Sequence, residues 1–178
     1  TIVYVGRLAE EKGVDLLLSA WRQSGLHAEG WNIKFIGDGP LMSSVLKGGH
    51  GILPLGWLTS DEVRNHLAES AFLVMGSRSF EGLPMVALEA LSVGTPVILP
   101  QLGGMGEIVS DSSCGIGFSP GDAVALRDGM LSAASMSESA WQAMSRGALD
   151  RYESMYSPEV NGEQLLSVYR KVISECAR

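Results

Sequence analysis

From residue 2 to residue 118 the chain alternates short runs rich in β-branched and aromatic residues with longer segments whose apolar positions recur at helical spacing. The runs predict strands at Ile2 to Val5, Ile33 to Ile36, Ile52 to Leu55, Phe72 to Met75, Val97 to Leu99 and Ile116 to Phe118. VYV, FI, FLV and VIL are apolar at successive positions, so both faces of these strands must be covered. That is the signature of a parallel sheet with helices on either side. Parallel neighbours need crossover connections, which are right-handed in nearly all proteins. Six strands linked this way most economically form a Rossmann-like, doubly wound sheet of order 3-2-1-4-5-6.

The intervening segments predict helices at about Gly13 to Gln23, Leu41 to Leu46, Asp61 to Ala68 and Pro84 to Val93, with a short turn near Met105 to Val109. Thr59 and Glu62 have the spacing of a capping box, Pro84 suits a first helical turn, and Gly94 stands where a helix should stop. After Phe118 the pattern becomes all-helical, at about Asp122 to Ala134, Glu138 to Glu153 and Glu159 to Cys176. The whole reads as one domain, with a sheet core over residues 1–120 and C-terminal helices over 121–178. The last helix carries an apolar stripe of Val160, Leu165, Leu166, Tyr169, Val172 and Ile173, which either packs on this domain or docks elsewhere.

In such a sheet, ligands bind at the carboxyl ends of the strands where the order reverses, here the first and fourth strands in sequence order. That rule selects the loops Gly6 to Lys12 and Gly76 to Leu83. In the first, Gly6 permits a close turn, and Arg7 and Lys12 bring two cations suited to a diphosphate. Glu10, Glu11 and Lys12 can equally be read as a solvated charge run ahead of a helix. In the second, Glu81 precedes Gly82 at a helix start, where free backbone amides and the positive end of the helix dipole lie. Glu89 is the lone charge on an otherwise apolar helix. It needs solvent, a cation such as Arg78, or a hydroxyl-rich ligand. Gly103, Gly104 and Gly106 ahead of Glu107 would let backbone approach an anion, or merely form a turn. Gly37-Asp38-Gly39-Pro40 reads as a strand-to-helix turn.

Composition narrows the function. The chain holds 22 glycines and 7 prolines among 178 residues, too few for a low-complexity segment and enough to mark specific tight backbone positions. A net charge of -7 argues against a nucleic-acid partner or an anionic membrane surface. Cys114 and Cys176 lack metal-ligand spacing and read as thiols of a reducing compartment, and His27, His50 and His66 suggest no triad or metal site. No apolar run reaches the roughly 18 residues of a membrane helix, and TIVYVGRLAEEKG has no signal-peptide pattern, so a cytoplasmic location is expected. Opening on a strand suggests a piece of something longer.

VGRLAEEKG, FIGDGP, SRSFEGLPMVALEALSVGTPVI and GGMGEIV, in that order and spacing, resemble the C-terminal, donor-binding domain of retaining glycosyltransferases of family 4 (glycosyl transferases group 1), which adopt the GT-B fold. The resemblance runs to about Asp122. Its most specific elements are Glu81 and Glu89 with seven residues between them, then Arg7 and Lys12 with four. Gly76 stands where the family usually has proline, and Ala71 where it often has aspartate.

The resemblance implies a nucleoside-diphosphate sugar as donor substrate, no cofactor and no bound metal. Arg7 and Lys12 would hold the diphosphate, Glu81 would accept hydrogen bonds from donor-sugar hydroxyls, and Glu89 would take the ribose hydroxyls. Gly82 and Leu83 would touch the sugar or distal phosphate through their amides, Gly103 and Gly104 would line the phosphate side, and Asp38 and Leu58 would lie towards the base. It also implies a partner domain, an N-terminal Rossmann-like acceptor half that this chain lacks and through which the protein could sit peripherally at a membrane. Without it the chain should bind donor weakly and transfer no sugar. A sugar-nucleotide epimerase of the same fold and a non-catalytic nucleotide-sugar or partner-binding module are the alternatives.

Overall fold

A computed structural model of the chain describes residues 1–176. Six strands, β1 (Ile2–Val5), β2 (Ile33–Ile36), β3 (Ile52–Gly56), β4 (Phe72–Val74), β5 (Val97–Pro100) and β6 (Gly115–Phe118), form one all-parallel sheet. Its order is β3-β2-β1-β4-β5-β6, as the alternation requires. The register is set on both sides of β1, where Ile2 is opposite Ile33 of β2 and Phe72 of β4.

Among the described residues eight α-helices follow in chain order: α1 (Val14–Ser24), α2 (Met42–Leu46), α3 (Ser60–Ala68), α4 (Met85–Ser92), α5 (Gly103–Ile108), α6 (Ala123–Ala134), α7 (Glu138–Arg151) and α8 (Pro158–Cys176). The doubly apolar strands are buried from both sides. Ile2, Tyr4, Phe35, Phe72, Val74 and Ile98 face a core built with α1 and α6, around Leu17, Trp21 and Met130. Val3, Ile36, Leu73, Val97 and Leu99 face a second core built with α3, α4 and α5, around Leu67, Leu91 and Met105. Period-2 side chains thus supply two hydrophobic layers from one strand set.

Local boundaries have local causes. Thr59 and Glu62 form the expected capping box at α3, and Gly94 follows α4 with a φ of 73°. Pro84, expected in the first turn of α4, instead caps it from an extended conformation and its carbonyl accepts the first helical amides, from Ala87 and Leu88. The expected turn near Met105 is the helix α5, which begins at Gly103. Two single 3-10 turns, Glu10–Lys12 and Leu26–Glu29, were not legible from periodicity. The expected continuous helix to Glu153 ends at Arg151 and widens into a π turn, Tyr152–Tyr156.

At Ser157, between the π turn and α8, the backbone is extended, with ψ 152°. The apolar stripe of α8 does not pack on this domain: Leu165, Leu166, Tyr169, Val172 and Ile173 stand 50% or more exposed. No helix among the described residues is long and apolar enough to cross a membrane.

Candidate functional site

The loops after β1 and β4 meet at the carboxyl edge of the sheet. At Gly13, with a φ of 68°, an added Cβ would overlap the carbonyl of Gly76, so the two loops pass backbone to backbone. A Cβ on Gly76 would in turn meet the Gly13 carbonyl oxygen at 2.8 Å, so neither position has room for a side chain. Gly6 N–H continues the sheet by donating to the Ile36 carbonyl, and Leu8 N–H donates to the Asp38 carbonyl, which fixes the first loop against the one after β2.

Between the two loops lies a cleft of about 360 Å³. Arg7 and Lys12 enter it from the first loop, Glu81 from the second and Glu89 from α4, over a floor that includes Met75 and Pro84. Lys12 Nζ donates to Glu81 Oε1 at 3.0 Å. Ser77, fully buried, donates its hydroxyl to the same oxygen. Arg7 is exposed and only loosely paired, 3.7 Å from Glu11. The floor under Gly6 and Arg7 is Tyr4, whose hydroxyl donates to the Arg7 carbonyl at 2.7 Å. Burial first, and then the Glu81 and Glu11 carboxylates, push the Tyr4 phenol well above its ordinary pKa, so it remains a donor.

Glu89 answers the question its sequence raised. It is exposed on the cleft face of α4, and among the described residues it makes no ion pair. Arg78 does not reach it but grips Asp15 on α1. The solvated-run reading of residues 10 to 12 also gives way in part: Glu10 and Glu11 are exposed, whereas Lys12 is turned into the cleft.

The other expected site residues lie nearby but do not line the cleft. Asp38 is exposed and accepts from the Gly39 amide at 2.6 Å. Leu58 is half-buried against the α3 side of the core. Both follow carboxyl ends of strands, β2 and β3, on the same sheet edge. Gly82 and Leu83 are exposed beside Glu81. Gly103 and Gly104 lie close against the β4 loop: a Cβ on Gly104 would overlap the Gly82 carbonyl, and the Gly104 amide donates to the Glu81 carbonyl at 3.0 Å. That amide is therefore committed to the loop. Tyr4 and Ser77 are cleft residues that sequence reasoning passed over. Ser77 lies four residues before Glu81, a spacing that could have flagged it, while Tyr4 was concealed inside an apolar strand run. Among the described residues no group of three or more His, Cys, Asp or Glu could hold a metal ion.

A parallel sheet of this order, with its reversal point opening on two cations and two carboxylates, has the Rossmann-like fold found in GT-B glycosyltransferase structures. The chain belongs to the glycosyl transferases group 1 family, whose profile matches residues 1–135. It is 38% identical over 119 residues to an uncharacterized glycosyltransferase of Methanocaldococcus jannaschii, covering 64% of this chain and 32% of that one. Its fold superposes on Anabaena HepE, solved in complex with UDP, with a TM-score of 0.84 at 18% identity, over 96% of this chain and 48% of that one. It also matches the C-terminal domain of the group 1 protein LpcC of Francisella tularensis, with a TM-score of 0.76 at 20% identity, over 88% of this chain and 86% of that domain. The chain thus spans about a third of the curated relative and about half of HepE.

Proposed function

We propose that this chain is the donor-binding, C-terminal half of a retaining, metal-independent glycosyltransferase that moves a hexose-type sugar from a nucleoside-diphosphate sugar to a glycan, lipid or other acceptor. The observation that carries this reading is the convergence of Arg7, Lys12, Glu81 and Glu89 on one cleft at the reversal point of the sheet. Membership of the glycosyl transferases group 1 family and the UDP bound to HepE support it.

In this reading Arg7 and Lys12 hold the diphosphate and offset the negative charge that grows on it as the glycosidic bond breaks. Glu81, already oriented by Ser77, accepts hydrogen bonds from sugar hydroxyls, and Glu89 accepts from the ribose hydroxyls. Asp38 and Leu58 flank the base, while the Gly82, Leu83, Gly103 and Gly104 backbone encloses the distal phosphate and sugar. The protein cations do the work that a divalent ion does in other transferases.

The acceptor site belongs to a separate N-terminal half in this reading, and much of the rate comes from holding the acceptor against the donor. The chain alone therefore binds donor weakly and turns nothing over. Ligand-observed NMR with UDP-, GDP- and ADP-sugars tests this. Saturation transfer to one nucleotide class, without release of free nucleoside diphosphate, is expected; transfer to none, or steady turnover by the chain alone, would contradict it.

A further inference from the structure

Arg78 is a strong cation placed at the cleft's edge that does not face the cleft. Its Nη1 and Nη2 donate to Asp15 Oδ1 and Oδ2 at 2.9 and 2.7 Å, a two-pronged pair. Nη1 also donates to the Glu10 carbonyl at 3.1 Å, and the Arg78 backbone N–H donates to the Glu11 carbonyl at 3.0 Å. Four hydrogen bonds from one residue of the β4 loop thus end on residues 10 to 15, the segment that carries Lys12.

The remaining polar links between these loops are of a different kind. Lys12 to Glu81 is a direct cross-link, but an arriving diphosphate competes with Glu81 for that ammonium. Ser77 to Glu81 lies within one loop, and Gly104 to Glu81 ties the loop to α5, not to residues 10 to 15. Among the described residues the Arg78 set is the polar link between the two loops that involves neither of the cleft-lining side chains Lys12 and Glu81. An exposed ion pair is ordinarily weak, but two-pronged geometry is the arrangement in which such pairs contribute most.

We propose that Arg78 and Asp15 form a staple, a pair of positioning residues that holds Lys12 and Glu81 at working distance when Lys12 turns from Glu81 to the diphosphate. The staple rests on the nucleotide reading for its effect on affinity, but not for its effect on the loops.

The test uses Arg78→Ala, Asp15→Ala, the double variant and Arg78→Lys in the complete chain. UDP, GDP and ADP are titrated by calorimetry, and amide hydrogen exchange is followed in the free protein. With the staple, each single variant binds nucleoside diphosphate about fivefold or more weakly, and the double variant is no weaker than the singles. Arg78→Lys behaves like Arg78→Ala, because a lysine keeps the charge and loses the fork. Exchange quickens at the amides of residue 78 and Gly104, while the Leu73 amide within β4, bonded to the Pro96 carbonyl, keeps its rate. Unchanged affinity, additive losses or unchanged exchange at residue 78 would overturn the staple. If the wild-type chain binds none of the three nucleotides, the nucleotide reading fails, and the exchange rates alone decide whether Arg78 holds the loop.

Discussion

The ammonium of Lys12 lies 3.0 Å from the carboxylate of Glu81, across 69 residues of sequence and between the two loops that meet at the sheet's reversal point. In the free chain the cation we assign to a diphosphate is already held by the carboxylate we assign to a sugar. The pair is half-buried, with Lys12 34% and Glu81 18% exposed at the side chain.

Glu81→Gln separates those roles. Removing the competing charge frees Lys12, so affinity for UDP without sugar should stay level or rise a few fold. The advantage of UDP-glucose over UDP should shrink, because an amide is a poorer acceptor for sugar hydroxyls. Paired titrations of UDP and UDP-glucose read both effects; a large loss of UDP affinity in Glu81→Gln would show that Glu81 supports the diphosphate instead of competing with it.

Glu89 is exposed and free of ion pairs among the described residues, so Glu89→Gln should change unfolding free energy by no more than about 0.5 kcal/mol. Nucleotide affinity should nevertheless fall by about 1–3 kcal/mol, the usual result of weakening a charged acceptor. The same loss should be missing when the titrant is 2′,3′-dideoxy-UDP, which has no ribose hydroxyls to donate. Equal losses with both nucleotides would move Glu89 away from the ribose.

Two glycines of the Glu81 region should respond oppositely to alanine. A Cβ on Gly104 meets the Gly82 carbonyl oxygen, so Gly104→Ala must push the two loops apart, at about 1–3 kcal/mol of stability. Gly82 has nothing within 4 Å of its would-be Cβ, and Gly82→Ala should be close to neutral for folding. Urea unfolding of the two variants side by side checks the contrast, which would fail if both were equally destabilised.

Acid should loosen the Arg78 staple. Burial opposes ionisation of Asp15, yet the hydrogen bond and charge of Arg78 outweigh it and hold the carboxyl below its ordinary pKa. A depressed folded-state value means that the contribution is complete above the unfolded value, near 3.9, and is lost as pH falls through the lower folded one. Wild-type stability should therefore drop more steeply below about pH 4 than that of Asp15→Asn, which has no such proton to take up. Urea midpoints at low salt measure this, since guanidinium would screen the pair. Parallel acid limbs would count against it.

Strand identity, sheet order and the location of the cleft were legible in the sequence because they follow from residue-by-residue apolarity and from chain topology. VYV and FLV can only be buried on both faces, and the reversal of order then points to the loops at Gly6 and Gly76. Partner choice among charges was not legible. Arg78 was a candidate partner for Glu89, but the folded loop brings it to Asp15 and leaves Glu89 open. The close packing of Gly103 and Gly104 on Glu81 and Gly82 was not legible either, because a glycine pair carries the same pattern whether backbone approaches a ligand or another loop. Periodicity marked the apolar stripe on α8 but not whether it packs on this domain, and in the structure it stays exposed.

The most direct test is calorimetric titration of the chain with UDP, GDP and ADP, repeated with Arg7→Ala and Lys12→Ala and with the matching nucleoside monophosphates. A diphosphate-binding cleft predicts that at least one diphosphate binds and that its monophosphate binds much more weakly. Each variant should lose about tenfold or more, or roughly 1.4 kcal/mol, without a change in unfolding midpoint. Binding that survives unchanged in both variants, or no binding of any diphosphate by the wild-type chain, would contradict the assignment of Arg7 and Lys12 to a nucleoside diphosphate.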